Sequence, residues 1–413
     1  MSRSTELPDL AELGHRLEEH GIPAWHQGEE LLATMQTGGR SAATGPGPLP
    51  AQTLLCAAEA ARVLDVLPRA VVTAPRARRL TFATRSGPVD LLPLGDRPVG
   101  SVLLDFGLGP LALARRLSTE EWCDPLDNRA HLADRRLEPT RIAPNPFAEA
   151  PRRYWIAARL LGTLDLEASP ALLVAAREAL PDQLEHLPRA APARRAIHHL
   201  LFSSRPANGL SFLRRSGVTP ALFPGTDADA EARIARLAQR PIGLRWAAWL
   251  HGTPIQQALV QLRMPWDLAR SIERLDRMHP IDEHVRSFRE VAVRRILQRL
   301  SSEEVEGLFA WRRLELAEAD GRGDGAAAPD RLEDLRVRLE EARRHQERSG
   351  RIRKLALDGA AVMRILDTGP GPRVGRALAH LANFVEAHPD ANVPSRLEEE
   401  LRAWAGRDPE RLS

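Results

Sequence analysis

The chain is poor in several residue types that usually announce a function. It holds one lysine, Lys354, and one tyrosine, Tyr154, in 413 residues. Aromatic residues make up only 4% of it, so Leu, Ala and Val must build the core. Cys56 and Cys123 are the two cysteines. Two are too few for a disulfide framework or a thiolate metal site. No run approaches the roughly 18 uninterrupted apolar residues that a membrane span needs. The N-terminal stretch MSRSTELPDLAELGHRL reads as a polar helix without the apolar centre of a signal peptide. These absences predict a soluble, cytoplasmic protein with no membrane partner.

What is present is arginine. Net charge is only +3, yet the isoelectric point is about 9.4, because nearly every cation is Arg. Arginine suits bidentate phosphate contacts. A high-GC coding sequence produces the same excess, so charge alone does not argue for nucleic acid. Hydrophobic residues reach 43% and charged residues 27%, which permits a buried core. The length allows two or three domains.

Hydrophobic spacing divides the chain. Leu7, Leu10, Leu13 and Leu17 predict a helix over 5–20. AQTLLCAAEAARVLDVL predicts one helix over 51–67, and RAVVTA, RRLTFAT and PVDLLPL predict short strands set off by Pro and Gly. Past about residue 105 the strands are expected to stop. Arg/Ala/Leu patterns then predict helices at 153–163, 170–179, 191–202, 228–239, 244–250, 254–262, 266–278, 281–299 and 303–319. GRGDGAAAPD (321–330) reads as a linker, and 331–348 as a charged helix with an apolar stripe at Leu332, Leu335 and Leu339. A last helical segment runs to Ala405, broken at TGPGP. The expected class is α+β: a small mixed head, then an all-helical remainder.

Several degenerate motifs stand in a shared order. FAEAPRRYWIAARL (147–160) resembles EDPxRxLRAxR, with Glu149, Pro151, Arg153 and Arg159 in place and Ala150 and Ile156 substituted. LDFGLGPLA (104–112) resembles RDFTINALA through Asp105, Phe106, Leu111 and Ala112; Leu104, Gly107 and Gly109 depart from it. DPLDNRAHL (124–132) resembles DPFGGxxDL, with Asp127-Asn128 for Gly-Gly. LSFLRRSGVTPALFPG (210–225) and WAAWLHGTP (246–254) follow, the latter with Gly252 where an HD pair would put Asp. The tail segment 355–392 keeps Gly359, Gly371, Pro372, Gly375, Leu378, Leu381, Val385 and Asn392 of a spaced Gly/Pro/Leu pattern.

This series resembles the class II tRNA nucleotidyltransferases, the family of CCA-adding enzymes and bacterial poly(A) polymerases. The resemblance runs from about residue 22 to 392. It implies a nucleotidyltransferase-like head (1–140), then a helical neck (141–225), body (226–320) and tail (331–413). The family's opening motif is the most eroded. Counting back from Ala43-Thr44, Gly39 and Ser41 replace the two aspartates of DxDLAT, and Trp25-His26 replace the Gly-Gly of the phosphate loop. Glu29 and Glu30 fall on its Arg-Asp pair.

Nucleotidyl transfer needs two carboxylates one residue apart on a strand, on the same face, to hold two Mg²⁺ ions. The metals activate the attacking hydroxyl and stabilise the leaving pyrophosphate. Gly39 and Ser41 cannot do this. Trp25 and His26 are expected to fill the phosphate loop, and Ala150 cannot accept a hydrogen bond from a base. Asp90 is the one residual carboxylate expected near the old metal site. Asp105, Glu149, Arg153 and Arg159 are expected as remnants of nucleotide binding. No metal is assigned, and no cofactor is expected unless an active enzyme retains Mg²⁺.

The remaining candidates read as structure. His251, His198-His199, Trp246, Trp249 and Trp311 are expected in packing roles. RAVVTAPRARR (69–79) and RRHQERSGRIRK (343–354) are Arg-dense. The resemblance assigns the second a role in holding RNA, with Arg343, Arg344, Arg351, Arg353 and Lys354 at the phosphates. Three functions follow: a non-catalytic relative binding tRNA or another structured RNA, an active nucleotidyltransferase with substitute metal ligands, or a scaffold for a protein partner.

Overall fold

The computed structural model describes residues 7–28, 31–32, 35, 52–74, 79–140, 145–187, 189–227, 229–237, 240–283, 290–320, 328–353 and 355–407. These fall into two compact units, Met1–Met278 and His279–Ser413.

The first unit opens with α1 (Leu10–Glu19), started by a capping box between Asp9 and Glu12. That cap excludes Leu7 from the expected helix. A seven-stranded sheet follows: β1 (Ala24–Gly28), β2 (Gln52–Cys56), β3 (Val71–Ala74), β4 (Arg79–Thr84), β5 (Gly87–Pro93), β6 (Ala114–Arg116) and β7 (Trp122–Cys123), in the order β3-β4-β5-β2-β1-β6-β7. Only β2 and β5 pair in parallel; the other ladders are antiparallel. α2 (Ala60–Val66) and α3 (Val99–Leu104) lie between strands in sequence.

Two expectations are corrected here. The helix expected over 51–67 is strand β2 followed by α2. β2 is the central strand, buried on both faces, and a buried strand reads as a continuous apolar run that periodicity cannot tell from a helix. Nor do the strands stop near 105. β6 and β7 extend the sheet, and β8 (Arg136–Leu137) pairs with β9 (Glu167–Ala168). They are two or three residues long and carry too little alternation to be seen in sequence.

Side chains alternate across the sheet. Leu54, Cys56, Leu80, Phe82, Val89 and Leu91 face Leu13 and Leu17 of α1 and Val63 and Val66 of α2. On the other face Leu55 and Leu92 pack with Val102 and Leu103 of α3. Thr53, Thr81 and Asp90 share this second face.

Past the sheet the unit is helical. The elements are α4 (Asn128–Ala133), α5 (Pro146–Glu149), α6 (Arg153–Thr163), α7 (Pro170–Gln183), α8 (Ala191–Phe202), α9 (Pro206–Arg215), α10 (Val218–Leu222), α11 (Ala230–Arg236), α12 (Ile242–Leu250), α13 (Ile255–Gln261) and α14 (Trp266–Arg277). α6 packs against α8 and α9, and α12 against α14. Trp246 and Trp249 of α12 are fully buried, as expected of core residues. Gly225 and Gly252 both take positive φ, and a Cβ on either would lie within 2.6 Å of the other's carbonyl oxygen. This close approach accounts for glycine where an HD pair would put aspartate.

The second unit contains α15 (Glu290–Arg299), α16 (Ser302–Asp320), α17 (Ala328–Arg353), α18 (Gly359–Leu366), α19 (Pro372–Ala387) and α20 (Pro394–Arg407). Leu332, Leu335 and Leu339 are buried along α17 as their spacing predicts. Trp311 is buried and stacks on His279 at 3.6 Å between ring centroids. Val362, Ala377, Leu381, Leu397 and Leu401 form the tail core. The Asn392 side chain accepts from the Ala356 N–H at 2.9 Å and closes it.

Candidate functional site

Asp90, the residual carboxylate expected from the sequence, stands on the sheet face that also bears Thr53 and Thr81. Asp90 lies in parallel register with Thr53 and in antiparallel register with Thr81. Its Oδ1 accepts from Thr81 Oγ1 at 3.0 Å, and its Oδ2 from Arg79 Nη1 at 3.2 Å. Among the described residues, Asp90 is the only acidic residue on a strand of the seven-stranded sheet. Residues 31–58 contain neither Asp nor Glu. The carboxylate is therefore spent on a guanidinium and a hydroxyl. Arg152 adds positive charge near Arg79. Packing around its guanidinium, and then the neighbouring charges of Arg79 and Arg153, lower the Arg152 pKa. A Mg²⁺ ion prefers several carboxylate and water oxygens. One ion-paired carboxylate among cations does not fit that group.

Gly39, Ser41, Glu29 and Glu30 lie outside the described residues. The placement of Trp25 and His26 is corrected. They belong to strand β1, paired with β2 on one side and β6 on the other. Trp25 lies under Arg116, with Cζ 5.6 Å from the ring centroid. His26 is buried, and burial followed by the charge of Arg115 lowers its pKa to about 4. The strand ends at Gly28, whose φ is +133°.

The FAEAPRRYWIAARL segment forms α5 and the start of α6. Asn145 caps α5 by accepting from the Phe147 and Ala148 N–H groups. Arg153 is buried. Its Nη1 donates to Glu149 Oε2 at 3.0 Å and to the Pro146 carbonyl at 2.8 Å, and its Nη2 to the Asp105 carbonyl. Gly107 makes room for it: φ is +78°, and a Cβ there would lie 2.5 Å from Arg153 Cζ. Two motifs far apart in sequence thus meet at one guanidinium. The Asp105 carboxylate turns away to pair with Arg97 at 2.6 Å. Asp124 caps α4, accepting from the Asn128 and Arg129 N–H groups at 2.8 and 3.0 Å. Arg159 is half-buried on α6.

In the helical part, His251 is half-exposed rather than in the core, with Nδ1 2.9 Å from Asp276 Oδ1. His198 and His199 are half-buried and line a cavity rather than filling a core. Trp266 was missed by sequence reasoning. It is 67% exposed at the start of α14, with the Arg270 guanidinium 4.5 Å from its ring centroid. Its signal was Trp and Arg four residues apart, one helical turn. On α17, Arg343 is half-buried, and exposed Arg344 lies 3.8 Å from Glu340. Arg351 and Arg353 close the same helix; Lys354 lies outside the described residues.

No family model and no curated protein matches this chain. Solved structures do. The CCA-adding enzyme of Thermotoga maritima, complexed with tRNA, is 13% identical with a TM-score of 0.58, over 95% of this chain and 94% of that one. The CCA-adding enzyme of Bacillus stearothermophilus, in complex with CTP, is 17% identical with a TM-score of 0.57, over 96% and 97%. A tRNA-processing enzyme is 14% identical with a TM-score of 0.60, over 90% and 99%. The chain therefore has the fold of class II tRNA nucleotidyltransferases along nearly its whole length. Among the described residues no helix is long and apolar enough to cross a membrane.

Proposed function

We propose that this protein is a non-catalytic relative of the CCA-adding enzymes that binds tRNA or another structured RNA through its helical body and tail. One observation carries the loss of catalysis. Among the described residues Asp90 is the only carboxylate on the seven-stranded sheet, and it is held by Arg79 and Thr81. With no acidic residue at all in 31–58, the eroded motif supplies no second ligand. A metal contributes several kcal/mol of transition-state stabilisation in such chemistry, and each 1.36 kcal/mol is a factor of ten in rate. Without it the reaction is slower by many orders of magnitude.

Retention of the whole fold supports the RNA reading. The solved structures that match include one complexed with tRNA. Arg343, Arg344, Arg351 and Arg353 lie in the last turns of α17, and with Lys354, next in the sequence, they are assigned to phosphate contacts. Arg153 and Glu149, held together at the neck, and Asp105 and Arg159 are remnants of a nucleotide site.

Fluorescence anisotropy with tRNA across a salt series tests binding. The expected result is salt-dependent affinity well above that for an unstructured polyanion. Equal affinity for both would reject the reading. Incubation with tRNA lacking CCA, Mg²⁺ and labelled CTP or ATP is expected to give no 3′ extension.

A further inference from the structure

A cavity of about 190 Å³ opens beside α8, lined by Arg194, Arg195, His198 and His199 of that helix and by Pro265 and Leu268 at the start of α14. The helix explains the arrangement. Arg194 and His198 form one i, i+4 row, and Arg195 and His199 form the next, about 100° around the axis. Adjacent histidines on a helix diverge too far to share one metal ion. Two such rows can flank a larger anion, however. Four of the six lining residues carry or can accept positive charge, and none is acidic.

Each cationic group has a distinct state. Arg194 is committed: Nη1 donates to the Leu262 carbonyl at 3.2 Å and to the Arg263 carbonyl. It ties α8 to the turn between α13 and α14. Arg195 is exposed, and no described residue offers it a carboxylate. Trp246 Nε1 donates to His198 Nδ1 at 3.5 Å, which leaves the proton of the neutral ring on Nε2. Burial and then Arg194 lower the His198 pKa. Burial, then Arg159, His198 and Arg195, lower that of His199 to about 4. The cavity is thus a mainly apolar recess whose polar groups are Arg195, the Nε2–H of His198 and the ring of His199, which offers one donor and one acceptor nitrogen.

We infer that this cavity binds a phosphate group, held by the Arg195 guanidinium and the imidazole N–H groups of His198 and His199. Donors standing on two neighbouring helix rows can each meet a different oxygen of a tetrahedral anion, which is larger than a metal ion. Pro265 and Leu268 give the ligand's apolar part a surface. The phosphate comes either from RNA or from a free phosphorylated small molecule. The site does not depend on the RNA reading, because its chemistry is the same for both sources.

The test is a titration of inorganic phosphate, then adenosine monophosphate, into the full-length protein, followed by NMR of the imidazole resonances. Those of His198 and His199 are assigned with His198→Gln and His199→Gln. Saturable shifts of both rings are expected. Arg195→Gln is expected to weaken binding by about tenfold, the scale of one charge-assisted hydrogen bond. Because Arg195 is exposed, the unfolding temperature without ligand should not change. Failure to see a saturable shift, or phosphate affinity unchanged in Arg195→Gln, overturns the inference. An RNA oligonucleotide is then added as competitor. Displacement of adenosine monophosphate assigns the site to RNA phosphate; retention assigns it to a small molecule. Either result supports the site, and neither depends on whether tRNA itself is bound.

Discussion

Thr53 and Asp90 stand side by side on parallel strands, in register and on the same sheet face. A carboxylate at each position would make a metal-ready pair. A hydroxyl at one and an arginine-bound carboxylate at the other do not. Thr53→Asp is expected to create Mg²⁺-dependent stability where the wild type has none. At Mg²⁺ tenfold above the dissociation constant, the gain is about 1.4 kcal/mol. Thermal unfolding with and without Mg²⁺ reads it. A Mg²⁺-dependent shift in the wild type, lost in Asp90→Asn, would instead reinstate catalysis.

Gly107 and Arg153 form a second coupled pair, in which the missing side chain of one houses the guanidinium of the other. Gly107→Ala forces an unfavourable positive φ and a Cβ into Arg153. A loss of about 2 kcal/mol or more is expected. Chemical denaturation measures it. In Gly107→Ala/Arg153→Met, the part due to the clash should be recovered while the backbone part remains. Strict additivity of the two single changes would show that they do not couple.

The sequence revealed relationships that are local or strongly periodic. Asn145 to Pro151 carries local signals of this kind, with Asn145 capping a short helix that Pro146 opens. The stripe Leu332, Leu335 and Leu339 is legible from its spacing. β2 was not, because Leu54, Leu55 and Cys56 are buried from both sides and lose the alternation that marks a strand. The strand carrying Trp25 and His26 was not legible because AWHQG is short and shows no clean alternation of apolar and polar residues. The cavity beside α8 was invisible because Pro265 and Leu268 arrive from a distant helix. Adjacent histidines then read as packing.

His26 makes stability depend on pH. Its pKa falls from about 6.5 unfolded to about 4 folded, because burial disfavours the charged ring. Above pH 6.5 both states are neutral and stability is complete. Between about 6.5 and 4 the unfolded chain takes up the proton first, so stability falls as pH falls. The limit is about 3 kcal/mol. His199 contributes with the same sign. His26→Leu should therefore flatten the decline by roughly half. It should cost little at pH 7, since Nε2 has no hydrogen-bond partner among the described residues. Urea unfolding at a series of pH values measures both slopes. An unchanged slope in the variant would show that His26 is already accessible to protons in the folded state.

Trp266 offers the sharpest separation of RNA binding from general polyanion affinity. Its ring is exposed and faced by Arg270, so one cation and one π-face are presented together on the outer side of α14. Stacking of an unpaired base on such a ring is worth about 1–3 kcal/mol. Trp266→Ala should therefore weaken binding to RNA carrying single-stranded nucleotides by about fivefold to a hundredfold. Binding to blunt duplex RNA should be unchanged, because no base is free to stack. Trp266→Phe should keep most of the affinity. Arg270→Gln should weaken both RNAs alike and reduce the salt slope by about one. The substituted ring supports no core, so unfolding should not shift. Equal losses on blunt and single-stranded RNA would mean that Trp266 acts through the surface charge and not through a base. Unchanged binding to both would place the RNA surface on another face of the body.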